Sequence, residues 1–200
     1  GRSAETTARA KAAGMVSASD EEIAATDFIL SILPPGDAVA LAQRFAPALT
    51  ASNSKPVFVD CNAVSPPTVE RIAAAVAPTG SPFVDAGIIG APPKPGDAGP
   101  RFYASGPDAP RFAKLKDFGL DVRVLAGPMS AASAMKMSYA GLTKGTQALG
   151  AAMLLAATRG GSADALFAEL AGSQPQMLAW LKRNLALIPP KSYRGVAAMA

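Results

Sequence analysis

The chain has 200 residues, half of them hydrophobic, and its 19 basic and 15 acidic side chains give a net charge of +4. A chain of this size and composition buries a sizeable core in one or two domains and is not disordered. Its Lys and Arg residues are scattered, which argues against a nucleic-acid partner. The sequence contains no run of about eighteen apolar residues, so no membrane span is predicted.

Cysteine usage and the start of the chain bear on the compartment. The single cysteine, Cys61, has no partner for an internal disulfide, which fits a reducing environment. The chain does not open with a basic segment followed by an apolar core and a cleavage site, so no secretion signal is predicted. These features favour a cytoplasmic protein. No residue is assigned to a metal.

The first two thirds of the chain alternate between strand and helix patterns. A helix capped by Ser3 is predicted over 3–13. Apolar runs predict strands over 28–33, 57–60, 83–89, 101–105 and 122–125. Helical patterns lie between them, over 37–49, 67–76 and 109–117. This alternation predicts an α/β fold with a parallel sheet covered on both faces, interrupted by a Pro/Gly-rich loop over 90–100.

Beyond residue 128 only helical patterns remain, over 129–157, 162–171, 174–187 and 191–199. We therefore predict two domains, a sheet domain over 1–127 and an all-helical domain over 128–200. In the long helix, Gly141 and Gly145 are four residues apart. Small residues at that spacing let another helix approach closely, inside the subunit or across a dimer.

The loops after strands are the expected place for function, because an open parallel sheet binds its ligand at the carboxyl ends of its strands. These loops follow Leu33, Asp60 and Ile89. The second contains Asn62 and Ser65, which together with Asp60 could anchor an amide or a hydroxyl group. A turn-forming role for Asn62 and a helix-capping role for Ser65 are equally compatible with the sequence.

Lys136 is the main candidate for acid–base chemistry. The chain has no histidine, and a lysine whose pKa is depressed by burial is a substitute. Lys136 is followed on one helix face by Ala140, Thr143 and Lys144. The alternative is a surface lysine whose alkyl stem covers apolar neighbours while its amine reaches solvent.

An ordered series of motifs resembles the β-hydroxyacid dehydrogenase superfamily, which includes 6-phosphogluconate and 3-hydroxyisobutyrate dehydrogenases. The motifs are LPP, DCNAVSP, FVDAGIIGA and GPMSAASAMKMSYAGLTKG, and they extend over nearly the whole chain. The most similar branch is one described as phosphogluconate-dehydrogenase-like. The resemblance implies NADP- or NAD-dependent hydride transfer, a Rossmann-type domain followed by an all-α domain, a small-molecule substrate, and a homodimer formed through the helical domain.

The resemblance also implies roles for individual residues. Lys136 matches the general acid/base of the family. The nicotinamide side of the cofactor is expected to be lined by Leu33, Pro34, Asn62 and Ala63. The substrate is expected to contact Ile89, Gly90, Tyr139, Ala140, Thr143 and Lys144.

Three departures from the family pattern stand out. Ile89-Gly90-Ala91 replaces a Ser-Gly-Gly loop, and Ala140 replaces an asparagine, so the substrate is expected to differ from those of the two named enzymes; Tyr139 could supply a compensating hydroxyl. The third departure is that the sequence has no G-x-G-x-x-G turn.

The chain begins at Gly1-Arg2-Ser3, which resembles the end of a second strand where an Arg-Ser pair holds the 2′-phosphate of NADP. We therefore expect roughly thirty residues, one strand–helix–strand unit, to be missing before it. The helical domain is likewise expected to stop short.

Two other functions remain open. An imine reductase-like enzyme has the same architecture with a less polar pocket. It is favoured by Ile88, Ile89 and Ala140, whereas Lys136 favours a dehydrogenase. A non-catalytic helical dimerisation module is favoured by the Gly141 and Gly145 face and by the missing cofactor motif.

Overall fold

A computed structural model describes residues 3–93, 96, 99–186 and 188 of the chain. Two expectations lie outside these residues: the contact between Arg2 and the cofactor, and the last helix over 191–199.

Five strands form one sheet in the order in which they occur in the chain. The strands are β1 Phe28–Ser31, β2 Val57–Asp60, β3 Phe83–Ile89, β4 Arg101–Ser105 and β5 Asp121–Val124. Strands β1, β2 and β3 are mutually parallel, and β5 is parallel to β4. The sequence predicted a parallel sheet. The observed sheet is mixed, because β4 pairs with β3 in the antiparallel direction. The segment between β3 and β4 is only eleven residues long, and its described residues form no helix. A parallel pairing needs a crossover of a dozen or more residues, so this short connection favours the antiparallel direction.

The helices match the predicted pattern with small changes at their ends. They are α1 Ala4–Ala12, α2 Asp20–Ala24, α3 Ala38–Ala51, α4 Pro66–Val76, α5 Ala109–Phe112, α6 Ala131–Arg159, α7 Ala163–Ser173 and α8 Pro175–Leu185. The short helix predicted over 109–117 continues beyond α5 as a 3₁₀ helix, Ala113–Phe118, and ends at Gly119 with a φ of 90°. Helix α2 was not predicted. It begins with a capping box in which Ser19 N–H donates to Glu22 Oε2 over 2.7 Å and Glu22 N–H donates to Ser19 Oγ over 3.2 Å.

The sheet has an apolar layer on each face. On one face, Ile29, Phe58 and Phe83 pack with α3 and α4. On the other face, Val59 and Val84 belong to a cluster that includes Phe112 of α5. Covering a sheet on both faces lets its strands be apolar throughout, and the continuous burial of β2 reflects this.

The helical part of the structure follows the last strand, which ends at Val124. Helix α6 packs against α8 at Gly150, where an added Cβ would overlap Leu181. Gly141 and Gly145 have open space around them. The close approach inside the subunit is therefore at Gly150, and the domain boundary at residue 127 stays a prediction. Within the described residues, none of the helices has the length and apolar character needed to cross a membrane.

Candidate active site

A row of four polar side chains crosses the sheet on the face that α6 covers. Ser31 of β1 pairs with Asp60 of β2, Asp60 with Asp85 of β3, and Asp85 with Ser105 of β4. All four are buried, and both carboxyl groups are 0% exposed. Register partners point to the same face of a sheet. The row therefore places two carboxyl groups side by side in the interior.

Asp85 anchors the first turn of α6. Ser133 N–H donates to Asp85 Oδ2 over 2.8 Å, and Ser133 Oγ–H donates to Asp85 Oδ1 over 2.6 Å. The N-terminus of a helix has free N–H groups and a positive dipole end, so a carboxylate there is favourable. Ser105 adds a second attachment, because its Oγ accepts from Ala132 N–H over 2.9 Å and donates to Met129 O over 2.7 Å.

Asp60 has one oxygen without a partner. Asn62 Nδ2 donates to Asp60 Oδ1 over 2.5 Å, whereas Asp60 Oδ2 has no hydrogen-bond partner in the part of the chain that the structure describes. The pKa of Asp60 is raised from its ordinary value of 3.8 to about 6, chiefly by burial and to a smaller extent by the neighbouring Asp85 carboxyl, while hydrogen bonds from Asn62 and Ser31 oppose the change. Burial also raises the pKa of Asp85, although its hydrogen bonds from Ser133 and Ser105 oppose the change.

Asn62 links the ends of β1 and β2. Its Oδ1 accepts from Leu33 N–H over 2.8 Å, and its Nδ2 donates to Ser31 Oγ over 2.8 Å as well as to Asp60. Both amide hydrogens are therefore used inside the protein. Asn62 acts on the loop at Leu33 and Pro34 by holding its backbone in place.

Lys136 lies directly over Gly87. A Cβ built on Gly87 would be 3.1 Å from Lys136 Cβ, 3.3 Å from Lys136 Cδ and 3.2 Å from the carbonyl oxygen of Ala132. These distances are shorter than ordinary van der Waals contact, so a larger residue at position 87 would require Lys136 or the backbone of α6 to shift by a few tenths of an ångström. The lysine stem consequently runs along the carboxyl-terminal half of β3, two residues beyond Asp85.

The surroundings of Lys136 bias its titration in two directions. Burial lowers the pKa of the Lys136 amine, and the Lys144 ammonium lowers it further, while Cys61, Asp60 and Asp85 raise it. The effect of burial is the largest of these, so the pKa of Lys136 lies below its ordinary value of 10.5. A half-buried amine of this kind can exchange a proton nearer to neutral pH than a surface lysine can.

The remaining residues predicted to face the cofactor are only partly brought together. Leu33 is half-buried, and Pro34 and Ala63 are exposed at the ends of β1 and β2. An open depression of about 300 Å³ adjoins this edge and is lined by Leu33, Asp37, Ala40, Leu41 and Arg44. Ser3 instead caps α1, where its Oγ accepts from Thr6 N–H over 3.2 Å, and α1 has no buried residue.

The residues predicted to face the substrate lie on β3 and α6. Ile89 ends β3, and Gly90 has a φ of 140° with Pro100 so close that a Cβ would be 2.9 Å from its Cα. On α6, Tyr139 and Lys144 are exposed, and Ala140 and Thr143 are half-buried. The Thr143 hydroxyl donates to the carbonyl of Tyr139 over 2.8 Å, so its hydrogen is used within the helix.

Sequence reasoning missed five residues that shape this site: Ser31, Asp85, Gly87, Ser105 and Ser133. The signal that could have found two of them, Ser31 and Asp85, is a polar residue inside an otherwise apolar strand, and Asp60 shares this feature. Ser31, Asp60 and Asp85 each lie two residues beyond an apolar residue on the same face, and a period of two places all three in one layer.

Residues 1–118 match a family model described as the NAD binding domain of 6-phosphogluconate dehydrogenase. This match covers more than half of the chain and agrees with the resemblance seen in the motifs. It also confirms a nicotinamide dinucleotide as the cofactor type. No curated protein matches the chain.

Solved structures show the same fold. A conserved protein of unknown function, described as structurally similar to 3-hydroxyacid dehydrogenases, is 32% identical with a TM-score of 0.71, over 92% of this chain and 70% of that protein. The Mycobacterium tuberculosis 3-hydroxyisobutyrate dehydrogenase is 22% identical with a TM-score of 0.64, over 86% and 60%. An imine reductase from Myxococcus stipitatus, solved with NADP+, is 17% identical with a TM-score of 0.64, over 94% and 68%. The chain therefore spans between 60% and 70% of the length of these three proteins.

Proposed function

This chain belongs to the family of NAD-binding domains of 6-phosphogluconate dehydrogenase type, within the β-hydroxyacid dehydrogenase superfamily, and we propose that its protein transfers a hydride between nicotinamide and a hydroxy acid or related carbonyl compound. The observation that carries this proposal is the seating of Lys136 over Gly87. The amine is half-buried at the edge of the sheet where dinucleotide folds bind their ligands.

Lys136 is the general acid/base in this proposal. In the direction of oxidation its neutral amine takes the proton of the substrate hydroxyl while the carbon-bound hydrogen leaves with its electron pair. In reduction the ammonium returns that proton to the carbonyl oxygen. The nicotinamide, when bound, supplies the hydride-accepting or hydride-donating carbon. Burial serves this cycle because it lowers the pKa of Lys136 and so makes the neutral amine more accessible.

The residues at the ends of β1 and β2 fit the nicotinamide half of such a cofactor. Leu33 and Pro34 offer an apolar edge whose backbone Asn62 holds rigidly, and Ala63 leaves the adjoining loop open. The depression beside Leu33 extends this edge along α3. We propose NADP or NAD as the cofactor, in a cytoplasmic homodimer. The contact of Arg2 with a 2′-phosphate stays an expectation from the sequence, whereas Ser3 is used as the cap of α1.

The polar groups of α6 fit an acidic substrate. Lys144 offers an ammonium and Tyr139 a hydroxyl on the same helix as Lys136, while Ile89, Gly90, Ala140 and Thr143 offer little polarity. A carboxylate bound by Lys144 would orient a hydroxyl toward Lys136.

The test is the substitution Lys136→Met in the whole protein. We expect turnover to fall by at least about a thousandfold, in the range expected for removal of a proton-transfer group, while NADPH and NADH binding, followed by fluorescence, changes little. Lys116→Met is the matched control, because Lys116 is an exposed lysine of the sheet domain. Substantial turnover by Lys136→Met would exclude this mechanism.

An imine reductase-like activity is the second candidate, favoured by Ile89 and Ala140, which add no charged group near Lys136. Ile88, which the sequence also assigned to this pocket, packs on the opposite face of the sheet with the cluster of Phe112. Turnover of cyclic imines and of hydroxy acids by the same preparation separates the two. Neither activity, together with no binding of NADPH or NADH, would favour the non-catalytic helical module.

A further inference from the structure

The register between α6 and β3 couples Lys136 to the buried row of polar residues. Ser133 and Lys136 are three residues apart and so share one face of α6. Asp85 and Gly87 are two residues apart and share one face of β3. Ser133 is hydrogen-bonded to Asp85, and Lys136 lies over Gly87. The helical turn from Ser133 to Lys136 therefore runs alongside the strand segment from Asp85 to Gly87.

Among the described residues, Lys136 is the cationic side chain that Asp60 acts on. The strand register places Asp60 beside Asp85, two residues before the Gly87 that lies under Lys136. The ionisable side chains that act on Asp60 or share its surroundings are Asp85 from β3, Lys136 from α6 and Cys61 at the end of its own strand. Helix α4, which packs on β2, turns Val69, Ile72 and Val76 inward. Ser31 and Asn62 contribute only neutral hydrogen-bonding groups.

Asp60 and Asp85 therefore differ in what they can offer the lysine. Asp85 is engaged by Ser133 through both of its oxygens. Asp60 is engaged through one oxygen and leaves Oδ2 unpaired at 0% exposure. A buried, unpaired carboxylate oxygen is unfavourable unless a nearby positive charge compensates it.

We propose that Asp60 and Asp85 are positioning residues for Lys136, Asp85 by anchoring the helical turn that carries the lysine and Asp60 by supplying the buried negative charge that holds its ammonium at the sheet edge. This inference rests on the proposed role of Lys136 as the acid/base. An acid/base must be available in both protonation states at the working pH. Burial alone favours the neutral amine, and the carboxylate pair restores the protonated form that reduction requires.

The direct test is the titration of Lys136 in the whole protein without cofactor or substrate. Lysines are dimethylated with ¹³C-formaldehyde, and the Lys136 methyl signal is assigned by its loss in Lys136→Arg and followed by NMR against pH. We expect Asp60→Asn to lower the pKa of Lys136 by on the order of one pH unit, because a negative neighbour is lost. Asp27→Asn is the control, since it removes an exposed carboxylate at the opposite end of β1.

The unsubstituted protein gives a reading that needs no carboxyl variant to fold. The Lys136 methyl signal should show a second inflection near pH 6, because the charge of Asp60 changes there. Absence of that inflection, or an unchanged Lys136 titration in folded Asp60→Asn, overturns the role of Asp60. Because neither reading uses cofactor or substrate, a failure of the proposed activity is seen separately.

Ser133→Ala tests the anchoring by Asp85. The variant keeps both carboxylates and the bond from the Ser133 backbone N–H, and it loses only the hydroxyl bond of 2.6 Å. We expect kcat to fall about tenfold with the KM for the cofactor unchanged, because a displaced lysine affects proton transfer more than cofactor binding. Unchanged kcat overturns the anchoring role.

Discussion

At the scale of single residues, the site depends on groups that would be unfavourable elsewhere in a protein. Asp60 is a carboxyl group at 0% exposure with one unpaired oxygen, beside a second buried carboxyl. Gly87 gives up the packing of a side chain so that Lys136 can lie against the strand. Such local departures from packing rules are expected at functional sites, where the rest of the fold compensates for them.

The first residue-scale prediction concerns stability against pH. The pKa of Asp60 in the folded protein is about 6, above its ordinary value of 3.8. Between these values the folded state binds the proton more tightly, so the contribution of Asp60 to stability falls as pH rises through this window. The difference corresponds to on the order of 3 kcal/mol. We expect Asp60→Asn to lack this loss, so that its Tm relative to the unsubstituted protein rises between about pH 4 and pH 7. A constant Tm difference would contradict the buried titration.

The second residue-scale prediction compares two glycines. Gly87→Ala would bring a Cβ within 3.2 Å of the carbonyl oxygen of Ala132, so we expect a destabilisation of about 1–3 kcal/mol and a displaced Lys136. Gly141→Ala, in open space on α6, should stabilise the helix by about 0.5–1 kcal/mol. Urea unfolding of both variants measures the two effects. Equal stabilities would contradict the close contact at Gly87.

At the scale of elements, the end of α3 is held by the ammonium of Lys55, four residues beyond it, which also reaches a distant turn. Lys55 Nζ donates to the carbonyls of Leu49 and Thr50 in the last turns of α3, over 3.1 and 3.0 Å, and to the carbonyl of Thr79 over 2.8 Å. The last carbonyls of a helix have no partner within it. One ammonium therefore serves the end of α3 and the turn after α4.

Removing that ammonium should destabilise the sheet domain. Lys55→Met keeps most of the side-chain volume and leaves three carbonyls without their charged donor. We expect a loss of about 1–3 kcal/mol, the range for hydrogen bonds to a charged group. Lys114→Met, at an exposed lysine, should change stability by less than about 0.5 kcal/mol. Thermal unfolding of both variants gives the comparison, and equal midpoints would contradict the capping role.

The elements were largely predictable from the sequence, and the site was predictable only in part. Strands β2, β3 and β4 have the predicted bounds, because continuous apolar runs between turn residues leave few alternatives. The antiparallel direction of β4 was not foreseen, although the missing crossover helix was visible. The bond between Asp85 and Ser133 joins residues 48 apart, and no local pattern identifies a partner at that distance.

At the scale of the whole molecule, α6 presents an apolar stripe to solvent. Leu142, Leu149 and Met153 are 73%, 63% and 53% exposed, and Gly145 lies between them in open space. Their spacing places them on one side of the helix. Contiguous exposed apolar surface of this kind is typical of an interface, and it is where the homodimer predicted from the sequence would form.

The whole-molecule prediction is that Leu149→Glu separates such a dimer. A carboxylate in a buried apolar contact is strongly unfavourable, so we expect light scattering to report a dimeric mass for the unsubstituted protein and a monomeric mass for the variant. The matched control is Phe118→Glu, because Phe118 is also an exposed apolar residue but lies outside the helical region. A monomeric unsubstituted protein would contradict the prediction.

Cys61, the only cysteine of the chain, lies at the end of β2 beside the polar row and is 3% exposed. Burial raises the pKa of its thiol well above the ordinary value, so the closed state offers a thiol-modifying reagent neither access nor a thiolate. Modification must then wait for the carboxyl end of β2 to open. The rate of labelling therefore measures how often that end of the strand opens, and a ligand that binds only the unopened state would slow the labelling.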